Sequence, residues 1–444
     1  MANSLYIVYS GGTVNLNSGN ITMLTQYVPR MGDGSKVVDS VELDFSGTAV
    51  ANIQTAVQSV NKAIGEAVRY TNSKTGDKVY VYHQPNGYDT AYRSELMPAS
   101  TKDWRLELDD DSLGKARWED AYKVRGVLTW TRGDWWEKST AVSVGGTNVM
   151  GTAGTIINNQ DEANTKSFYF SVDGANIAGD TPSPLYIQYK NTTNDAAEVG
   201  SVYIGQYVDG LYAAPSPDNL MFQGTASADA GCSGGSYTAL VFAGTVEESL
   251  ISWTIASADD YRGRSYKMVA RLKDTFAYTD LYLQAKVLSG SAVLGETRLK
   301  LADANQQLQI IGSLKLSPAA NGNTNYTDLS LALYSKRAGG GGTINLDYIA
   351  AIPQDGWRSY KAISGLAYNE EIYDNPVEDS FYTISAAPGN PAVFTHYVDE
   401  GDPLNLVPGV DNTIYFLHNT TGGTAPIDRT SLITLYHYPR RRTI

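Results

Sequence analysis

A chain of 444 residues is longer than one ordinary hydrophobic core can organise, which predicts two or three domains. Charged residues are only 18% of it, against a usual share of about 25%, and Gly, Tyr, Thr, Ser and Asn fill the gap, a balance that suits short strands and tight turns. A formal net charge of -13 argues against sequence-specific binding to nucleic acid, the single cysteine (Cys232) excludes an internal disulfide framework, and no stretch approaches the 18 apolar residues of a membrane helix.

Met1 to Ser10 has no basic start and no sustained apolar run, so no secretory signal is expected. Leu5 to Tyr9 reads as a strand stopped by Gly11-Gly12. Val37 to Phe45 alternates apolar residues at Val37, Val41, Leu43 and Phe45, with Asp39 as the one break. From 49 to 70 the period changes to three and four: Val50, Ile53, Val57, Val60, Ile64 and Val68 form the apolar stripe of a helix. Thr48 is its expected N-cap, and Asn72-Ser73 followed by Gly76 its expected end. Val79 to His83, Trp104 to Leu108 and the aromatic-rich Val124 to Trp136 are strands again. Residues 1–141 therefore read as a split β-barrel crossed by one helix.

Residues 142–166 are rich in Gly, Thr and Asn and read as a linker. Strands resume at Phe168 and run to Ile352 without a helix, and 167–361 has the size of a jelly-roll β-sandwich. The remaining 362–444 is strand-like. It either completes the first domain's sheet or makes a small separate domain.

Several constellations suggest chemistry without the context it needs. Gly231-Cys232-Ser233-Gly234-Gly235 matches the serine-hydrolase elbow, but a β-like Tyr237 to Phe242 follows where a helix is required. Asp109, Asp111, Gly114 and Asp120 fall at positions 1, 3, 6 and 12 of a calcium loop, yet Leu113 occupies position 5. Glu247-Glu248, Asp259-Asp260 and Glu370-Glu371 are adjacent pairs, which a strand points to opposite faces. His83, His396, His418 and His437 lack metal-ligand spacing. Arg440-Arg441-Arg442 reads as a solvated tail or an intersubunit contact. Trp130, Trp135, Trp136, Trp253 and Trp357 read first as core, with glycan stacking as the alternative. The expectation is a non-enzyme with no catalytic, cofactor or metal residues.

Trp118-Glu119-Asp120, with Val127 to Trp130 and Thr131-Arg132-Gly133-Asp134-Trp135-Trp136-Glu137 after the helix, resembles the tail-tube-like domain of bacteriophage distal tail (baseplate hub) proteins. Ile344 to Ile349, running on to Asp355-Gly356-Trp357-Arg358-Ser359-Tyr360, resembles the closing strand of the jelly-roll, carbohydrate-binding-like modules such proteins carry. The long segment after the sandwich departs from that pattern. The resemblance implies a structural tail component, a distal tail or tail-tube-like protein, that forms homo-oligomeric rings and presents its sandwich outward. It would be made in the host bacterial cytoplasm and reside in the virion. Its partners would be itself and other tail proteins, with a host-surface glycan as a further candidate; neither sequence-specific nucleic acid nor membrane is expected. The alternative is a glycan-binding receptor-binding module without catalysis.

Overall fold

A computed structural model of the chain describes residues 4–30, 36–98, 104–108, 123–144, 155–158, 169–194, 198–208, 221–229, 232, 235–255, 264–315, 329–384, 395–421, 430–442 and 444. Among the described residues the protein is mostly β, with one long helix and several antiparallel sheets. Two compact units divide it: residues 1–142, 178–183 and 438–444 form the first, and 143–177 with 184–437 form the second.

In the first unit a six-stranded sheet runs in the order Gly12–Asn15, Ser4–Tyr9, Tyr80–Gln84, Tyr92–Glu95, Trp136–Lys138, Arg440–Arg441. A four-stranded sheet orders Ile21–Met23, Val37–Ser46, Lys123–Arg132, Trp104–Leu108. Among the described residues neither closes into a barrel. The apolar stripe turns Ile53, Val60, Ile64 and Ala67 of the helix Val50–Ser73 into a core shared with Leu5, Ile7, Leu43 and Phe45. The helix does not use Thr48 as its cap. Ala49 is the extended residue before the first turn, and its carbonyl accepts from Asn52 N–H at 3.1 Å, so Thr48 lies one position too early for its hydroxyl to serve. Lys74, left-handed at φ 54°, ends the helix by donating its N–H to the Tyr70 carbonyl at 2.8 Å.

Asp39, the break in the alternating strand, is where this core takes in charge. It is 1% exposed, and Arg132, fully buried, holds it at 2.6 Å through Nε. The Tyr27 hydroxyl donates to the same carboxylate at 2.7 Å, and Arg30 N–H to its other oxygen at 3.3 Å. Arg132 also lies 5.0 Å from the Trp136 ring centre. Burial and the Asp39 charge together push the Tyr27 hydroxyl pKa far up.

The second unit contains two sandwiches, one inserted in the other. The strands of 167–361 are shared between them. The outer sandwich pairs Val142–Val144, Thr430–His437, Ser183–Asn191, Glu371–Asn375 and Ser380–Ile384 in one sheet. Its second sheet orders Tyr169–Val172, Asn412–Thr420, Val199–Val208, Trp357–Ala362 and His396–Glu400. Leu185, Ile187, Tyr189, Ile204, Phe416 and Ile433 lie in the core. Between the paired neighbours Val199–Val208 and Trp357–Ala362 the chain builds the inner sandwich. One of its sheets is centred on Gly342–Pro353, between Ser236–Phe242 and Ser265–Leu272; the other centres on Leu329–Arg337 and Leu281–Ser289. Its core continues through Tyr207, Trp357 and Leu417, joining the two sandwiches. Gly205 permits this junction, because a Cβ there would stand 2.7 Å from the Ile352 side chain.

The segment read as a linker supplies two strands, Val142–Val144 and Thr155–Asn158, which share one edge of Thr430–His437. The segment 362–444 is split: 362–437 belongs to the second unit and 438–444 to the first. These are pairings across more than 250 residues, which period along one strand does not encode.

Candidate functional site

Strict alternation along Ser183–Asn191 buries Leu185, Ile187 and Tyr189 and turns Tyr186, Gln188 and Lys190 outward. Register then sets what surrounds them. Tyr186 faces Tyr436, Gln188 faces Thr434, and Lys190 faces Leu432 on one side. On the other, Gln188 faces Tyr373 and Lys190 faces Glu371, and Tyr373 in turn faces Tyr382. The outer face of this sheet thus carries four half-buried tyrosines over four strands. Ring centres are 5.3 Å apart for Tyr436–Tyr186, 6.4 Å for Tyr186–Tyr373 and 5.1 Å for Tyr373–Tyr382.

Polar groups hold the rings in place. Gln188 Nε2 donates to the Tyr186 hydroxyl at 2.7 Å. Lys190 Nζ donates to Glu371 Oε1 at 2.8 Å, and the Tyr373 hydroxyl to Glu371 Oε2 at 2.9 Å. Partial burial, followed by this carboxylate, raises the Tyr373 hydroxyl pKa, so it remains a donor at any ordinary pH. Beside the ridge, where Thr434 is small, the surface dips into an open concavity of about 370 Å³. Its lining is Ser143, Gln188, Lys190, Glu371, Leu432, Thr434 and Tyr436.

Of the described residues marked by sequence, Glu371 belongs to this face and the others discussed below lie elsewhere. All four histidines are buried, at 1–2% exposure. Burial lowers the pKa of His83 and His437 to about 4 and of His418 to about 3, and lowers that of His396. His418 Nδ1 lies 2.8 Å from the Tyr189 hydroxyl, and His396 Nε2 lies 2.6 Å from the Gly200 carbonyl. Cys232 is buried, and its thiol is pushed up to about 11 by burial and then by Asp347 and Asp229, which disfavours the nucleophilic thiolate. Gly231, Ser233 and Gly234, the calcium-loop residues 109–120 and Asp259-Asp260 lie outside the described residues.

The carboxylate pairs have structural partners. Glu247 pairs with Lys286, and Glu248 accepts the N–H groups of Ala243 and Gly244. Glu370 accepts Ala367 N–H at 2.8 Å, while Glu371 belongs to the tyrosine face. Among the described residues no three His, Cys, Asp or Glu side chains gather where they could hold a metal ion. Trp130, Trp136 and Trp357 are core. Trp253 is half-buried against Phe222, and Trp135 is covered by Arg440 at 4.4 Å.

The basic cluster is not a free tail. Arg440 donates through Nε and Nη2 to Glu137, both at 3.1 Å, and the Arg442 N–H donates to Asp180 at 3.0 Å. Burial raises the Glu137 carboxyl pKa, against the opposing pull of Arg440 and Arg93.

The tyrosine face has only half of its signal in the sequence. Tyr186, Gln188 and Lys190 stand two apart within a recognisable strand, but their neighbours on the sheet come from positions some 180 to 250 residues later.

No family model matches this chain, and no curated protein matches its sequence. Among solved structures it overlaps a chain of the phage P2 baseplate in its activated conformation with calcium. The identity is 10%, the overlap covers 80% of this chain and 98% of that one, and the TM-score is 0.19. The strontium form of the same baseplate gives the same values. The VP2 subviral particle of infectious bursal disease virus overlaps 68% of this chain and 81% of its own, at 8% identity and a TM-score of 0.17. Superpositions this loose transfer neither fold nor role.

Proposed function

We propose that the chain is a structural, non-enzymatic component of a bacteriophage tail, a distal tail or tail-tube-like protein that assembles with copies of itself and with other tail proteins into the virion. The observation that carries this reading is the plan of the first unit. A helix of 24 residues packs with two open sheets, and the last strand, Arg440–Arg441, comes back to pair with Trp136–Lys138. The first unit is built from residues 1–142, 178–183 and 438–444, so the second, 143–177 with 184–437, is inserted into its sequence. This is the organisation suited to a ring-forming body that displays a second module. The Val127 to Glu137 run that carries much of the family resemblance spans the end of the strand Lys123–Arg132 and the start of the strand Trp136–Lys138, and its Leu128, Trp130 and Trp136 share one core.

Mass photometry with negative-stain microscopy on the purified full chain, over a range of concentrations, tests the proposal. Rings or short tubes bearing outward knobs are expected. A monomer at every concentration, including those used for the grids, would overturn the ring-forming reading.

A further inference from the structure

We infer that the seam between the two sandwiches of the second unit holds an anion site, built by Lys267, Lys300 and Lys361, that takes a single dianionic phosphate group. The inference does not depend on the chain's place in a tail.

Three separate strands deliver the ammonium groups. Along Trp357–Ala362, Trp357 enters the core that joins the sandwiches, and alternation puts Ser359 and Lys361 on the same face. Lys361 stands opposite Tyr397 on the edge strand His396–Glu400. A bulge then shifts the register. Tyr360 pairs with Val398 but Ser359 with Glu400, so Asp399 is the extra residue and Glu400 is re-aimed to the face that carries Lys361. There Glu400 meets Lys267 of the inner sandwich, Oε1 lying 2.6 Å from Nζ. Lys267 is only 7% exposed, whereas the Glu400 side chain is 45% exposed, so the seam opens to solvent on the Glu400 side. Lys300 is tied to the rim of the inner sandwich by donating from Nζ to the Ile310 carbonyl at 2.7 Å.

Three positive charges thus meet one carboxylate, in a chain whose net charge is -13. Partial desolvation of its ammonium and then the Lys267 charge lower the Lys300 pKa; Glu400 opposes this and Lys361 adds to it, so positive charge prevails at Lys300. An anion placed among the three would relieve that repulsion. Each ammonium has three protons to give. Glu400 takes one from Lys267 and the Ile310 carbonyl one from Lys300, which leaves donors for the oxygens of a bound group. Lysine is a compact point charge and a usual partner of phosphate, where bidentate recognition of a carboxylate would favour arginine. The local excess of two charges matches a phosphate dianion, while the acidic surface around it disfavours a polyanion such as nucleic acid. Glu400 competes with the anion for Lys267.

Isothermal titration calorimetry of the full-length protein with inorganic phosphate, at constant ionic strength in chloride, tests the inference, and methyl phosphate is the second probe. Saturable binding of one phosphate per chain is expected. Saturation by both probes assigns the site to the phosphate group of a larger molecule, and saturation by inorganic phosphate alone assigns it to the free ion. Lys300→Gln and Lys361→Gln, at exposed residues, should each weaken binding about tenfold with the melting temperature unchanged. Lys62→Gln, which removes the same charge from the exposed side of the helix in the first unit, should leave binding unchanged. Glu400→Gln should strengthen binding about tenfold, because it frees Lys267. Absence of saturable binding overturns the proposal. So does binding that survives both Lys300→Gln and Lys361→Gln, or that weakens in Glu400→Gln.

Discussion

Asp39 and Arg132 show how one residue can be misread and informative at once. In the strand pattern Asp39 is a defect; in the fold it is the anchor for Tyr27, Arg132 and the Arg30 backbone, with all of its neighbours drawn from other segments. Two charges taken out of water gain little over a well-packed apolar pair, but removing one leaves the other stranded. Asp39→Asn should therefore destabilise the protein by about 3–5 kcal/mol. The double replacement Asp39→Leu with Arg132→Met should cost clearly less than the sum of Asp39→Leu and Arg132→Met made singly, because each single strands a buried charge and the double leaves none. Urea denaturation of the parent, the two singles Asp39→Leu and Arg132→Met and the double reads this directly, and strict additivity would refute the coupling.

At the scale of elements, what could be read was what repeats locally. The stripe from Val50 to Val68 predicts the helix, and alternation predicts most strands, including Leu185 to Tyr189, because side-chain direction follows backbone period. What could not be read was pairing. Thr430–His437 lies between Ser183–Asn191 on one side and the strands Val142–Val144 and Thr155–Asn158 on the other, so the tyrosine face exists only after register is set. The division of the sandwich into two was hidden for the same reason: Val199–Val208 and Trp357–Ala362 read as strands wherever they pair. Caps are also decided locally, but by geometry within one residue, and there Thr48 missed by one. Since Ala49 has the extended backbone of an N-cap and no side chain to use it, Ala49→Asp should stabilise the helix by about 0.5–2 kcal/mol. Thermal unfolding should show a rise in midpoint; no rise, or a fall, would contradict the cap assignment.

The whole molecule is sensitive to acid through its four buried histidines, His83 in the first unit and His396, His418 and His437 in the second. Their folded pKa values lie below the unfolded value of about 6.5, so the unfolded chain binds more protons whenever pH drops below that value. Stability from this source is complete above about pH 6.5 and is lost as pH falls towards about 4 for His83 and His437 and about 3 for His418. One pKa unit is worth about 1.4 kcal/mol, so descending from pH 6.5 to 4.5 should cost roughly 2–3 kcal/mol per fully buried histidine. His418→Gln should flatten the dependence of unfolding free energy on pH over that window, measured against the parent protein. Equal slopes would show that His418 does not titrate differently in the two states.

The return of the chain at Arg440 also sets an order of events during synthesis. Roughly 300 residues separate Lys138 from the strand that covers it, and at about 5–20 residues per second a ribosome needs tens of seconds to deliver them. Throughout that interval the Trp136–Lys138 strand is a bare edge, open to pairing with the wrong neighbour, and Glu137 waits without the Arg440 guanidinium. The unit begun first is completed last, so the nascent protein passes its most vulnerable period while its insertion is still being made.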